Sequence, residues 1–177
     1  ERAPIYAPLD MALIEGQYYK EEGMTQYALI FETGCIRIIL DHVLEPVEKI
    51  RNSFAKTISA DIDAAQCAGS QTPALVHVKA NPSLRIKGGE LLGYTTGTRN
   101  AHRFDFGVYN AGKKNFLSDY PQYRYNWRYI YADCPYDYYS EAKRKLYYSR
   151  FTSLNGRDPV AATFCKKLFS QKEGKTM

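Results

Sequence analysis

Three polar side chains, two of which can bind a metal or move a proton, lie close together in the stretch GTRNAHRFDFGVYN, residues 97–110. They are His102, Arg103 and Asp105. Successive side chains of a β-strand point to opposite faces, so Arg103 and Asp105 share one face and Phe104 occupies the other. The residue two positions after His102 is Phe104, which excludes a His-x-His pair of ligands that begins at His102. The spacing therefore predicts an exposed loop-end position for His102, and a groove or solvent position for the other two polar side chains.

Sequence motifs of the common enzyme classes are missing. The chain contains no His-Glu-x-x-His, no Gly-x-Ser-x-Gly, no phosphate-binding loop and no dinucleotide fingerprint. Its cysteines, Cys35, Cys67, Cys134 and Cys165, form no Cys-x-x-Cys pair of the kind found in zinc ribbons. Four cysteines allow two disulfides and fit an exported protein, while reduced thiols in a cytosolic protein are the alternative.

The composition indicates a globular protein. A chain of 177 residues with 45% hydrophobic residues is long enough for one well-buried domain with a small appendage. Its net charge of +5 favours anionic partners such as nucleic acid, acidic glycans or cell-wall polymers. No apolar run approaches the roughly 18 residues that cross a bilayer, so no membrane span is expected. Whether a targeting segment was cleaved, or lies outside this sequence, is left open.

The elements that must position Arg103 and Asp105 are predicted to be strands. Apolar and β-branched runs alternate with glycine and proline along the first 114 residues. Thr33-Gly34 has the length and type of a tight hairpin connection. Apolar residues at three- and four-residue intervals predict one amphipathic helix, Leu44–Thr57. The pattern is typical of a β-sandwich or β-barrel, with strands at 11–15, 27–32, 35–40, 74–80, 90–95 and 103–110.

The character of the sequence changes after residue 114. A tyrosine- and arginine-rich stretch follows, and two helices are predicted beyond it, one capped by Ser140 and one that begins at Asp158-Pro159. The predicted fold class is therefore mainly β. A β domain at residues 1–114 carries an aromatic-rich, partly helical C-terminal extension, residues 115–177, that packs on it.

Four segments resemble a known family when they are taken in order. They are PIYAPLDMALIEG at 4–16, LDHV at 40–43, IKGGELLGYTTG at 86–97 and RFDFGVYN at 103–110. This order is similar to that of lysostaphin-like zinc metalloendopeptidases. That family has a proline-flanked strand with a glycine turn, a Tyr-x-His-Leu strand end, a glycine-rich turn and a His-x-His strand. The resemblance implies a β-sandwich with a duplicated hybrid motif.

The resemblance also implies a zinc ion with three protein ligands and an open position for a water molecule that the metal acidifies. By position, His42 matches a histidine that polarises water and the transition state, and Arg103 stands where a second such histidine is found. Asp105 stands where the family has a zinc ligand. The other two ligands, a His-x-x-x-Asp element, would lie before Glu1. Arg103 adds a fixed positive charge on the face of Asp105, so we expect a polar cluster of His42, Arg103 and Asp105 in place of the metal.

The tyrosine- and arginine-rich stretch has two interpretations. Interleaved aromatic and basic side chains stack on bases or sugars and neutralise phosphate or carboxylate groups. The candidate binding residues are Tyr123, Arg124, Tyr125, Trp127 and Arg128. Alternatively, these amphipathic side chains simply cover the core of an exported domain.

A narrower resemblance concerns the segment CPYDYY at 134–139 together with Cys165. Both are similar to elements of one bacterial branch of lysostaphin-like proteins, and this similarity implies a Cys134–Cys165 disulfide. The pairing of Cys35 and Cys67 is left open.

The expected function is non-hydrolytic. The chain is interpreted as a peptidase-like module, secreted or in the cell envelope, that needs no cofactor and binds a cell-envelope or extracellular polymer, or a protein partner. One alternative is a zinc-dependent peptidoglycan endopeptidase, for which zinc is the cofactor. Another is a structural subunit of a surface assembly that self-associates through its tyrosine-rich tail. Nucleic acid is the less favoured partner.

Overall fold

The computed structural model describes residues 1–55, 76–100, 102–123 and 125–149. Two compact units make up the chain, Glu1–Phe106 and Gly107–Met177. The division falls inside the strand that contains Asp105, before the boundary after residue 114 that the sequence suggested. Within the described ranges, every helix is too short or too polar to cross a membrane.

The first unit is built on two antiparallel sheets, which confirms the mainly-β prediction. The larger sheet contains the strand order β6-β2-β3-β4, formed by Val76–Ile86, Met11–Glu21, Met24–Thr33 and Ile36–Val43. The smaller sheet has the order β1-β7-β5, formed by Ala3–Tyr6, Leu91–Thr95 and Glu45–Pro46. Strand β8, Asp105–Asn110, begins at the end of the first unit.

Two tight hairpins set the register of the larger sheet. Glu22 and Gly23 join β2 to β3, with φ angles of 52° and 78°, which is the positive-φ pair that a type I′ hairpin requires. The predicted connection between β3 and β4 lies one residue later than expected. Thr33 pairs with Ile36, so the loop consists of Gly34 and the exposed Cys35.

Strand β2 extends well beyond the predicted segment 11–15, because Gly16 continues the strand instead of ending it. A Cβ atom at Gly16 would overlap the ring of Phe54 on the short helix α1, Glu48–Ala55. The absence of a side chain at Gly16 therefore lets the helix pack closely on the strand. The helix begins later than the predicted Leu44, because Pro46 belongs to β5 and pairs with Gly93.

Apolar side chains from both sheets and from α1 form one core. Ile50 and Phe54 lie one helical turn apart and are both buried. Phe104 and Phe106 pack against this core, on the face that strand alternation predicts for Phe104 and for the residue two positions later. The other fully buried members are Leu13, Leu29, Phe31, Ile38, Leu40, Val43 and Leu92.

The described part of the second unit consists of short elements. Helices α2, Trp127–Ile130, and α3, Glu141–Tyr148, flank strand β9, Ala132–Asp133, which pairs with β8. Asn115 organises the region around α2, because its side chain donates to the carbonyl oxygens of Tyr129 and Ala132 at 2.6 and 2.9 Å.

The predicted cap of helix α3 is confirmed. The Ser140 hydroxyl accepts a hydrogen bond from the Lys143 amide at 3.4 Å, so the sequence located the start of α3 correctly. The helix predicted from Asp158-Pro159 lies outside the described residues.

Candidate functional site

His42 lies at the end of β4, where a β-bulge directs its side chain into the first unit. Asp41 and His42 together oppose the single residue Ala28 of β3. The backbone of His42 adopts a φ of 62°, a left-handed conformation of the kind found in bulges. Its amide donates to Asp41 Oδ1 at 2.7 Å, and its carbonyl oxygen accepts from Thr95 Oγ1 at 2.6 Å. The imidazole is only 6% exposed as a result.

The two ring nitrogens of His42 face different groups. Nδ1 lies 2.5 Å from Gln26 Oε1, 3.2 Å from the Tyr19 hydroxyl and 3.6 Å from Glu21 Oε2. Nε2 lies 3.6 Å from Asp105 Oδ2. A polar cage therefore surrounds one side of the ring, while the other side faces an exposed carboxylate.

The β2–β3 hairpin supplies most of that cage. Tyr19 and Gln26 are directly opposite each other in the register of the two strands, so their side chains are neighbours on one face. Glu21 is two residues beyond Tyr19 and shares that face. Gln26 is fully buried, which fixes the acceptor for His42 Nδ1.

Tyr19 connects the carboxylate of Asp41 to the cluster around His42. Its hydroxyl donates to Asp41 Oδ1 at 2.7 Å. Burial of the phenol raises the pKa of Tyr19 well above its ordinary value, and the hydrogen bond to Asp41 and the negative charges of Asp41, Glu21 and Asp105 raise it further. The carboxylates of Asp41, Glu21 and Asp105 therefore all lie close enough to the Tyr19 hydroxyl to raise its pKa.

Arg103 is the positive charge of the cluster. Its guanidinium lies 3.9 Å from Glu21 Oε1 and is 57% exposed. Glu21 Oε2 is buried and has no hydrogen-bond partner among the residues that the structure describes. Asp105 is 59% exposed, so the rim of the site is charged and open to solvent.

The turn before Arg103 is fixed by local hydrogen bonds. The Thr98 amide donates to the Arg103 carbonyl at 3.1 Å, and the His102 amide donates to the Thr98 carbonyl at 2.8 Å. Asn100 Nδ2 also donates to Glu22 Oε1 at 2.7 Å, which ties this turn to the tip of the β2–β3 hairpin. These hydrogen bonds hold His102 and Arg103 close to Thr98, and they link Asn100 to the β2–β3 hairpin.

Asp41, His42 and Asp105 have the donor types of a metal site. One ligand atom from each lies within 4.8 Å of the other two. One imidazole nitrogen with two carboxylate oxygens is a set that zinc and similar divalent ions accept. The donor types that the structure brings together thus match those of a zinc site, although the resemblance assigns a ligand role to Asp105 alone of the three.

The predicted site residues of the first unit lie together. His42, Arg103 and Asp105 all belong to one cluster, although Arg103 contacts Glu21, an acceptor that the sequence did not suggest. His102 is exposed in the turn before the strand, as its spacing indicated. Sequence reasoning missed Tyr19, Glu21, Gln26 and Asp41. In the sequence, the Glu22-Gly23 turn was the one local feature from which the pairing of Tyr19 with Gln26 could have been predicted.

The predicted binding residues of the second unit are part of a chain of aromatic contacts. Tyr123 lies 5.0 Å from the ring of Tyr129, and Arg128 lies 5.8 Å from the ring of Trp127. Tyr125 is 85% exposed. Arg124 lies outside the described residues. Their role in binding stays a prediction.

The predicted disulfide also stays a prediction. Cys134 is buried, whereas Cys165 and Cys67 lie outside the described residues. Cys35 is a free, exposed thiol.

Comparisons with known proteins gave no match to a protein family, to a curated protein or to a solved structure.

Proposed function

We propose that the first unit is a non-hydrolytic module, similar to lysostaphin-like endopeptidases, that binds a cell-envelope or extracellular polymer at the rim around His42. The observation that carries the proposal is Arg103. It stands where the resemblance implies a histidine that polarises water. A guanidinium keeps its proton at every physiological pH, so it cannot act as a general base.

The environment of His42 supports the same proposal. Its ring is 6% exposed and its Nδ1 faces Gln26 at 2.5 Å. A general acid or base must come within about 3.2 Å of the proton it transfers. Nδ1 is therefore closed to a substrate, and Nε2 faces the carboxylate of Asp105 at 3.6 Å, which favours a non-catalytic role for His42.

The exposed rim suits recognition. Arg103 and Asp105 carry opposite charges, and each is more than half exposed. Such a pair is complementary to a polymer that carries both carboxylate and amino groups, as the peptides of a bacterial cell wall do. Binding of a cell-envelope or extracellular polymer requires that the protein is exported, so export is part of the proposal.

A second candidate is a zinc-dependent endopeptidase. The observation that favours it is the group of Asp41, His42 and Asp105, whose ligand atoms lie within 4.8 Å of one another. When bound, zinc would supply an acidified water. This chain's own residues would hold the ion and orient the ring of His42.

The experiment that separates these candidates is incubation of the full chain with insoluble peptidoglycan in the presence of added zinc. We expect retention on the polymer with no release of soluble fragments. Arg103→Ala and Asp105→Asn should each weaken retention about tenfold, whereas the exposed-site controls Arg51→Ala and Asp119→Asn should not. Release of soluble fragments that requires Asp105 would establish the peptidase instead. Equal retention of all four variants would contradict binding at this rim.

A further inference from the structure

The charges around His42 do not balance. Glu21, Asp41 and Asp105 contribute three negative charges, and Arg103 contributes the one positive charge found near them among the described residues. With a neutral imidazole the cluster carries a net charge of −2. Uncompensated charge beside buried groups is costly, and a bound counter-charge reduces that cost.

The Nε2 atom of His42 faces a position where such a counter-charge could bind. Because Nδ1 faces the amide oxygen of Gln26 at 2.5 Å, it carries the proton of the neutral ring, and Nε2 then has only a lone pair. That lone pair faces the carboxylate of Asp105 at 3.6 Å, beyond hydrogen-bonding distance. Two acceptors that face each other repel, and a cation held between them removes that repulsion.

The separation of these acceptors also fits a metal ion. Two ligands that are each about 2.1 Å from a tetrahedral ion lie about 3.4 Å apart. The observed 3.6 Å between Nε2 and Asp105 Oδ2 is close to this value. Asp41 provides a third donor, with a ligand atom within 4.8 Å of those of His42 and Asp105.

We infer that Asp41, His42 and Asp105 bind one divalent cation of the zinc or manganese class. The resemblance assigns a ligand role to Asp105 alone of these three, so the donor set is a different one. Gln26 and Tyr19 act as positioning residues, since Gln26 holds His42 Nδ1 and Tyr19 holds Asp41. The inference goes beyond the proposed polymer-binding function, because the ion binds whether or not a polymer is present, and it supplies the donor set on which the endopeptidase candidate rests.

The test is calorimetric titration of the metal-free full chain with Zn²⁺. We expect one equivalent to bind, with weaker binding of Mg²⁺, because imidazole nitrogen favours zinc. Asp105→Asn should weaken Zn²⁺ binding about 100-fold, and it should fold normally because Asp105 is exposed. Asp119→Asn and His102→Asn should bind Zn²⁺ as the wild type does, since these side chains lie outside the donor set.

A second variant tests the sign of the electrostatic argument. Arg103→Gln removes the positive charge that competes with the cation, so Zn²⁺ binding should become roughly three- to tenfold tighter at low salt. Arg51→Gln should leave it unchanged. Failure of the wild type to bind one equivalent, unchanged binding by Asp105→Asn, or weaker binding by Arg103→Gln would each overturn the inference.

This measurement is independent of the polymer experiment. If Zn²⁺ binds stoichiometrically and peptidoglycan is not retained, the proposed function fails and the cation site stands. If peptidoglycan is retained equally with and without a chelator and no Zn²⁺ binds, the cation site fails and the proposed function stands.

Discussion

Replacing Tyr19 with phenylalanine tests how strongly the cluster holds the first unit together. The change removes the hydroxyl that donates to Asp41 at 2.7 Å and keeps the ring in the core. A hydrogen bond to a charged acceptor contributes about 1.5–3 kcal/mol. Phenylalanine recovers part of this because it has no hydroxyl to desolvate. We therefore expect the free energy of unfolding to fall by about 1–2 kcal/mol.

The pH dependence of this loss has a defined sign. The pKa of Tyr19 is higher in the folded protein than its value of about 10 in the unfolded chain. The stabilisation is therefore fully present below pH 10 and is lost as pH rises through the higher folded value. The difference between wild type and Tyr19→Phe should stay constant from neutral pH to about pH 10 and shrink above it.

Amide hydrogen exchange of β2, β3 and β4 is the suitable assay, because it reports on the first unit alone. Exchange at the slowest amides should be about 5 to 30 times faster in Tyr19→Phe. Tyr18→Phe is the matched control, since Tyr18 points to the other face of β2 and is 39% exposed. Equal exchange in the two variants would refute the claim that the Tyr19 hydroxyl stabilises the cluster.

Two further predictions concern other parts of the chain. Gly97→Ala should destabilise the first unit by about 2 kcal/mol or more in chemical denaturation, because φ is 75° there and a Cβ would overlap the backbone of His102. Gly89→Ala, at φ 80° with open space, should cost only about 1 kcal/mol, and equal losses would contradict the steric argument. Tyr138 donates to Asp133 at 2.8 Å, and burial followed by this hydrogen bond raises the pKa of Tyr138 to about 12. Its stabilisation, about 1 kcal/mol after solvent screening, should be lost between pH 10 and 12 in wild type, and Tyr138→Phe should show a flatter profile of unfolding free energy over that range.

Local chemistry made several features predictable from the sequence. Branched and aromatic runs punctuated by glycine predicted a mainly-β fold, and Ser140 predicted the start of helix α3. Strand alternation separated Arg103 and Asp105 from the two neighbouring phenylalanines, which do pack on the core. Each of these inferences depends on residues within a few positions of one another, so the sequence contains the necessary information.

Which residues form the charged cluster was decided by tertiary structure. Gln26 and Tyr19 meet because of the register of β2 and β3, and that register depends on the turn at Glu22 and Gly23. On the way to this turn β2 passes Gly16, which leaves room for the ring of Phe54. A sequence read residue by residue does not give these cross-strand distances, since a shift of one position reverses every side chain.

The orientation of His42 is the clearest case. The sequence alone indicated that a histidine follows Asp41 near the end of a strand, and it predicted a strand at 103–110 with Arg103 and Asp105 on one face, whereas the strand begins at Asp105. The bulge opposite Ala28 turns that histidine inward, and its ring then lies between Gln26 and Asp105. A bulge forms because two strands with different numbers of residues must keep their hydrogen bonds, and this requirement exists only once both strands are paired.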